Sequence, residues 1–275
     1  MPTKLEQLQN LIKEYGSCLV AFSGGVDSSL LLKVAHQVLG GKVLAVTAAS
    51  QIRPDIDLRC AERIAASVGV PLDILDCTEL ADPVFSANSP TRCYHCKKVL
   101  YSRLLRIAKE KGYAVVLDGA NGEDSLDFRP GLRAAWELGI KSPLAEVDLS
   151  KAEIRSLARE MGLVNWDRPS SPCLASRFPY GETLTAAKIR QVALAEEYLT
   201  SLGFTEFRVR HHGTLARLEL EQQYLSDLIG PLRENLLSYL KKLGFTYITV
   251  DLSGFRSGSM NEVLPKEVQN GSKQA

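Results

Sequence analysis

Apolar positions along the chain fall into two alternating patterns. Short runs at Cys18–Phe22, Lys42–Thr47, Leu72–Leu75 and Ala114–Leu117 have the length of buried strands. Between and after them, Asp27–Leu39, Ile56–Val68, Lys97–Lys111 and about Gly131–Leu138 carry apolar residues at helical spacing. This alternation predicts an α/β fold, a parallel sheet with helices on both faces. In "DLSKAEIRSLAREMGL", Ser150 with Glu153 three residues on predicts a capping box that starts another helix.

The pattern changes at the Pro/Ser-rich "NWDRPSSPCLASRFPYGETLT" (165–185), which reads as an ordered loop or interdomain passage. Beyond it come a helix at Ala186–Ser201, strands at Glu206–His211 and Leu215–Leu220, helices over 221–243 and a strand at Tyr247–Leu252. That order predicts a smaller C-terminal α+β unit. A chain of 275 residues holds two such cores, and the expected division is 1–168 and 169–275, with the cysteine-bearing loop in the second part. No internal repeat is evident, and only the tail "KEVQNGSKQA" reads as loose.

Composition narrows the setting. Hydrophobic content of 45% and charged content of 24% are those of an ordinary globular protein. The amphipathic N-terminus lacks a signal-peptide core, and no apolar run reaches the roughly 18 residues a membrane span needs. A cytoplasmic protein without a membrane partner is therefore expected. In a reducing compartment the six cysteines are read for metal or redox chemistry rather than for disulfides. A net charge of +1 argues against a broad nucleic-acid surface, although a local basic groove stays possible.

The first strand runs into "FSGGVDSS". Gly24 and Gly25 let several backbone N–H groups converge on one anion, and the helix starting near Asp27 adds its free amides and dipole. Ser23, Ser28 and Ser29 supply hydroxyl donors. No lysine follows the glycines, so this is not a Walker loop. A plain glycine turn is the competing reading, and two glycines alone would favour it.

Set after a strand, Ser-Gly-Gly-Val-Asp-Ser resembles the signature of the PP-loop ATP pyrophosphatases, whose fold is adenine nucleotide alpha hydrolase-like. The resemblance implies ATP bound with Mg²⁺ and cleaved between its α- and β-phosphates, so that an oxygen is adenylated and AMP becomes the leaving group. It implies pyrophosphate held by Ser23, Gly24, Gly25, Ser28 and Ser29, with Asp27 assisting the metal. Ser50, ending "VTAAS", would line the adenosine pocket, and Gly119 in "LDGAN" lies at another strand end.

Cys93 and Cys96 in "TRCYHCKK" stand at CxxC spacing, and Cys173 lies in "SSPCLASR". The CxxC alone fits a redox pair, zinc ligands or coincidence. Zinc would require a fourth ligand, and His95, adjacent to Cys96, has difficulty reaching the same ion. Three thiolates suit an iron–sulfur cluster with one iron open to a labile ligand such as sulfide. Cys18, Cys60 and Cys77 are read as packing residues.

"NWDRPSSPCLASRFPYGETLT", "FRVRHHGTLARLEL" and "DLSGFRSGSMNEVL" together resemble the sulfur transferases that act on pyridinium-3,5-biscarboxylic acid mononucleotide, the LarE family, over almost the entire chain. That family makes the organic part of the nickel-pincer nucleotide used by lactate racemase and related enzymes. The resemblance implies that ATP adenylates a carboxylate of a small-molecule nucleotide substrate, sulfur displaces AMP, and a thiocarboxylate results. In one branch a single cysteine equivalent to Cys173 surrenders its own sulfur and becomes dehydroalanine, and that branch lacks the CxxC. Here Cys93, Cys96 and Cys173 match the iron–sulfur branch, in which a [4Fe–4S] cluster takes sulfide from a sulfide source and delivers it.

Arg208 and Arg210 alternate along a predicted strand and so share a face; with Arg177 and Ser176 they can bind the substrate's phosphate and carboxylate in forked geometry. Arg256 in "GFRSG" is a further substrate candidate. The resemblance also points to Glu196, Glu219 and Asp227 as an acidic metal-binding cluster at a subunit interface of a homo-oligomer, with ordinary surface carboxylates as the alternative. His211 and His212 read as structural or exposed, and Trp166 as packing beneath the cysteine loop. Three alternatives remain. Cys173 can be sacrificial. The reaction can be tRNA thiolation or ammonia-dependent ligation, opposed by the near-neutral charge and the lack of room for a glutaminase domain. Or the chain is a non-catalytic nucleotide or zinc module, opposed by the intact Ser23–Ser29 string.

Overall fold

A computed structural model describes residues 2–126, 130–256 and 258–265. The tail read as loose lies outside the described residues. The first part runs α1 (Lys4–Tyr15), β1 (Cys18–Ala21), α2 (Val26–Leu39), β2 (Val43–Ser50), α3 (Asp55–Val68), β3 (Leu72–Cys77), α4 (Pro83–Ser86), α5 (Arg92–Lys111) and β4 (Val115–Leu117). It continues with α6 (Pro130–Glu137), α7 (Pro143–Glu146) and α8 (Lys151–Glu160). After a 3-10 turn at Leu174–Arg177 come α9 (Ala186–Ser201), β5 (Phe207–His212), β6 (Leu215–Leu220), α10 (Leu225–Ile229), α11 (Arg233–Lys242) and β7 (Tyr247–Val250).

β1 to β4 form a parallel sheet in the order β3-β2-β1-β4. The two-residue period of a strand sorts its side chains onto two helical layers. Cys18, Val20, Val43 and Ala45 join Leu30, Leu31, Ile64 and Ile154 of α2, α3 and α8 on one face. Leu19, Leu44 and Val46 join Tyr101, Leu104 and Ala135 of α5 and α6 on the other. This is the parallel sheet covered on both faces that the alternation predicts. The chain steps from β1 outward to β2 and β3, then returns to β4 on the far side of β1. The crevice at the carboxyl ends of β1 and β4 is therefore the switch point where open α/β sheets bind ligands.

The smaller sheet is mixed, in the order β5-β6-β7, with β5 and β6 antiparallel and β6 and β7 parallel. Its apolar face packs Phe207, Val209, Leu218 and Leu220 on Leu199 of α9 and on Leu236 and Leu240 of α11. A separate cluster joins Ile52 and Phe85 of the first part to Leu174, Ala175, Phe178 and Ile189 of the second, with Cys96 and Cys173 packed at its border. Among the described residues no helix is long and apolar enough to cross a membrane.

Helix α5 begins at Arg92, five residues before the periodicity shows a helix, so Cys93 and Cys96 stand in its opening turns. The extension is tertiary in origin. Asn88 accepts from Arg92 and donates to the Pro179 carbonyl at 2.7 Å, and the Arg92 guanidinium lies 5.1 Å over the Tyr180 ring. A polar stretch without apolar period is thus held helical by the 165–185 segment. The Ser150–Glu153 capping box forms as expected, and Glu153 also receives Lys4 at 2.9 Å. Ser150→Ala is expected to cost about 1 kcal/mol in urea-induced unfolding.

Candidate active site

The chain leaves β1 at Ala21 and turns through Gly24, whose φ of +72° is closed to most side chains. A Cβ at Gly24 would stand 2.9 Å from the Ala61 backbone nitrogen, so glycine is required there for space as well. Gly25 is the N-cap of α2 and no side chain caps that helix, which leaves its first amides available to an anion. The serines tie the loop to the helix: Ser23 and Ser28 hydroxyls lie 3.0 Å apart, and Ser28 donates to the Gly25 carbonyl at 3.1 Å. Gly119, just beyond β4, lets its loop close on the same turn, since a Cβ would meet the Ser28 nitrogen at 3.0 Å. From that loop Asn121 donates to the Asp27 carboxylate at 3.1 Å. One oriented carboxylate beside a phosphate loop fits Mg²⁺, which keeps waters and shares substrate phosphates.

A cleft of about 420 Å³ opens beside the loop, lined among others by Ser23, Thr47, Ser50, Arg53, Asp57 and Cys77. Ser50 and Ser23 thus border one space. Ser50 donates to Glu79 at 2.5 Å.

Cys96 and Cys173 pack at the border of the same cluster, and Cys93 stands three residues before Cys96 in α5. Burial, then repulsion from Cys173, pushes the Cys96 thiol up to about 12, and the same causes raise Cys93. Among the described residues no group of three or more His, Cys, Asp or Glu side chains is set to hold a metal ion. Thiolates are nevertheless the donor type an iron–sulfur cluster takes, and Cys93, Cys96 and Cys173 are free, partly buried thiols. Lys97 follows Cys96; burial lowers its ammonium, which Asp118 counters. Asp118 is buried and accepts from Tyr101 at 2.8 Å and Ser142 at 2.7 Å.

The candidate arginines divide by their partners. Arg177 makes a two-pronged pair with Glu196 at 2.9 and 2.8 Å and also donates to the Ser176 hydroxyl. Arg210 reaches Glu219 at 2.7 Å and donates to the Ser176 carbonyl at 2.9 Å. Glu219 is fully buried and also holds Arg217 at 3.2 Å and Ser259 at 3.0 Å. Glu196 and Glu219 are therefore counter-ions to arginines, and Asp227 stands exposed on α10. Arg208 differs: it donates to the Phe207 and Ser170 carbonyls, lies 4.8 Å from the Phe255 ring centre, and pairs with no carboxylate among the described residues. Burial and the nearby Arg177 bring its pKa down to about 10, so it stays cationic at neutral pH. Arg256 pairs with Glu262 at 3.1 Å.

His211 is buried against Phe178 and held by Glu182 and Gln191, whereas His212 is exposed. Trp166 packs on the N-terminal core with Arg159 5.1 Å over its ring, not on the cluster that carries Cys173. Sequence reading passed over the bracing behind the loop. Asn165 donates to the Gly24 carbonyl at 3.1 Å and to the Ser29 hydroxyl at 3.0 Å. Arg168 donates to Asp57 at 2.6 Å, and the Cys60 thiol donates to Gly24 at 3.8 Å. The signal available was a set of polar residues beside prolines in "NWDRPSSP".

A glycine loop at the switch point of a β3-β2-β1-β4 parallel sheet, feeding an uncapped helix, defines the PP-loop class of ATP-using enzymes. The family described as "Queuosine biosynthesis protein QueC" matches residues 17–92. The chain is 43% identical over 267 residues to the pyridinium-3,5-bisthiocarboxylic acid mononucleotide synthase of Lactiplantibacillus plantarum, covering 97% of this chain and 96% of that one. It is also 43% identical over 271 residues to an uncharacterized protein of Synechocystis sp., covering 97% and 100%. A tRNA-specific 2-thiouridylase of Syntrophotalea carbinolica shares 30% identity over 179 residues, 53% of this chain and 50% of that one. The chain belongs to the pyridinium-3,5-bisthiocarboxylic acid mononucleotide synthase (LarE) family and is an ATP-dependent sulfurtransferase.

Gly24→Ala should weaken ATP binding at least about tenfold in calorimetry, since the loop must move to admit the methyl group. In reduced, metal-free protein Cys96 should alkylate with iodoacetamide at pH 8 at least about tenfold more slowly than a free thiol. The rate should climb as pH rises past about 9, because the thiolate is the nucleophile and a raised pKa depletes it.

Proposed function

We propose that the chain converts the carboxylates of pyridinium-3,5-biscarboxylic acid mononucleotide to thiocarboxylates, toward the organic part of the nickel-pincer nucleotide. The uncapped glycine loop and the end-to-end identity with the Lactiplantibacillus plantarum synthase carry this reading, with Cys96 and Cys173 packed at the border of one cluster as thiols for the sulfur step. A carboxylate oxygen attacks the α-phosphorus of ATP, releasing pyrophosphate and leaving an acyl-adenylate. A sulfide sulfur then attacks the carbonyl carbon, AMP leaves with the oxygen, and a thiocarboxylate remains.

Each group has a task that its surroundings support. The free amides of α2, the Gly24–Gly25 turn and the Ser23 hydroxyl bind the departing pyrophosphate, where fixed donors act without reorganising, whereas Ser28, which donates to the Gly25 carbonyl, and the buried Ser29, which accepts from Asn165, brace the loop. Asp27, oriented by Asn121, would hold Mg²⁺, which when bound neutralises phosphate charge. Ser50 and the cleft beside it take adenosine. Arg208 binds an anionic group of the substrate, because its guanidinium lacks a carboxylate partner among the described residues. Arg177 and Arg210, neutralised by Glu196 and Glu219, hold Ser176 and the turn after Cys173 in place.

Cys93, Cys96 and Cys173 would hold a [4Fe–4S] cluster, which when bound supplies an iron open to a labile sulfide. Catalytic use of sulfide is preferred over a sacrificial Cys173 because the two CxxC thiols have no task in the sacrificial route. Anaerobically prepared protein should carry about four irons per chain, and Cys93→Ala should lose them together with multiple turnover. Iron-free protein that makes less than one product per chain while Cys173 loses roughly 34 Da would establish the sacrificial route instead. Arg208→Ala should raise the KM for the mononucleotide about ten- to a hundredfold with little change in the KM for ATP.

A further inference from the structure

The two halves of the proposed reaction use different parts of the chain, and one buried carboxylate joins them. Asp57 stands in the first turn of α3 with 5% of its surface exposed. Its carboxylate accepts from two groups, both in the segment after α8: Arg168 Nη2 reaches Oδ1 at 2.6 Å, and the Ser171 hydroxyl lies 3.2 Å from Oδ1 and 3.0 Å from Oδ2. Arg168 also donates through Nη1 to the Gly24 carbonyl at 3.4 Å, and Asn165 donates to that carbonyl and to Ser29. The same segment therefore grips the back of the phosphate loop and, through Asp57, the wall of the nucleotide cleft.

Cys173 follows Ser171 by two residues. The intervening backbone has its own anchors: Leu174 N–H donates to the Ile52 carbonyl at 2.8 Å, and Arg177 donates to the Pro172 and Cys173 carbonyls at 2.9 and 3.4 Å. Arg208 also donates to the Ser170 carbonyl at 3.2 Å; Ser171 itself is exposed, and Asp57 is what ties its hydroxyl and Arg168 to α3.

We infer that Asp57 is a positioning residue that sets the distance between the phosphate loop and the Cys173 sulfur. It acts through Arg168 and Ser171 and touches no reacting atom. This rests on the reading above, in which adenylation occurs at the loop and sulfur arrives from the cysteines. Adenylation needs the loop alone, whereas transfer needs loop and cysteine in register, and misplacement by about 1 Å can cost about a hundredfold. Asp57→Asn keeps the shape and one acceptor but leaves Arg168 without its counter-charge.

The test measures ATP–pyrophosphate exchange and thiocarboxylate formation on the same cluster-loaded protein. The ratio of transfer to exchange should fall at least about tenfold in Asp57→Asn, and about threefold in Ser171→Ala, which removes one exposed hydroxyl and does not threaten folding. Equal loss of both activities in both variants, or an unchanged ratio, overturns the inference. Hydrogen exchange in nucleotide-free protein gives a readout independent of activity. Amides of 168–174 should exchange at least about tenfold faster in Asp57→Asn while those of α2 and α9 keep their wild-type rates. Unchanged protection of 168–174 overturns the inference even if wild-type protein shows no exchange of pyrophosphate, a result that would sink the functional reading alone.

Discussion

The carbonyl of Gly24 is the point on which the rest of the site depends. With φ at +72°, it accepts from Asn165, Arg168 and the Cys60 thiol, groups drawn from two distant stretches of chain. A buried carbonyl of this kind must be satisfied, and an unmade bond there costs about 1–3 kcal/mol. Satisfying it forces the segment after α8 to pass directly behind the phosphate loop. That path brings Cys173 to the opening turns of α5, where Cys93 and Cys96 stand.

Buried charge is handled by the same economy of partners. Arg177, Arg210 and Glu219 are almost wholly withdrawn from water, and each is matched by an opposite charge. Removing one partner from such a pair is far more damaging than the pair itself is stabilising. These pairs thus fix the 3-10 turn after Cys173 to α9 and β5 to β6. Arg208 stands beside them held by two carbonyls and the Phe255 ring, with no carboxylate partner among the described residues.

Much of the fold was legible along the chain. The strand runs, the amphipathic helices and the Ser150 capping box reflect local periodicity and local hydrogen bonds, and those signals survive in one dimension. The start of α5 was not legible, because Asn88, Pro179 and Tyr180 hold its first turns from outside. Trp166 was assigned to the wrong neighbour for the same reason: a large apolar ring reports burial, and not which core receives it.

For the site, the sequence by itself determined the chemistry on offer. The Ser-Gly-Gly-Val-Asp-Ser string demands a turn with positive φ before a helix, and the cysteines at 93, 96 and 173 offer soft sulfur donors. Tertiary structure decided the partners. Arg177 and Arg210 are spoken for by Glu196 and Glu219, Arg208 is not, and Asp57 clasps Arg168 across 111 positions of chain. Local spacing encodes backbone shape and donor type, whereas charge pairing and bracing depend on which distant segments the packed cores bring within about 3 Å.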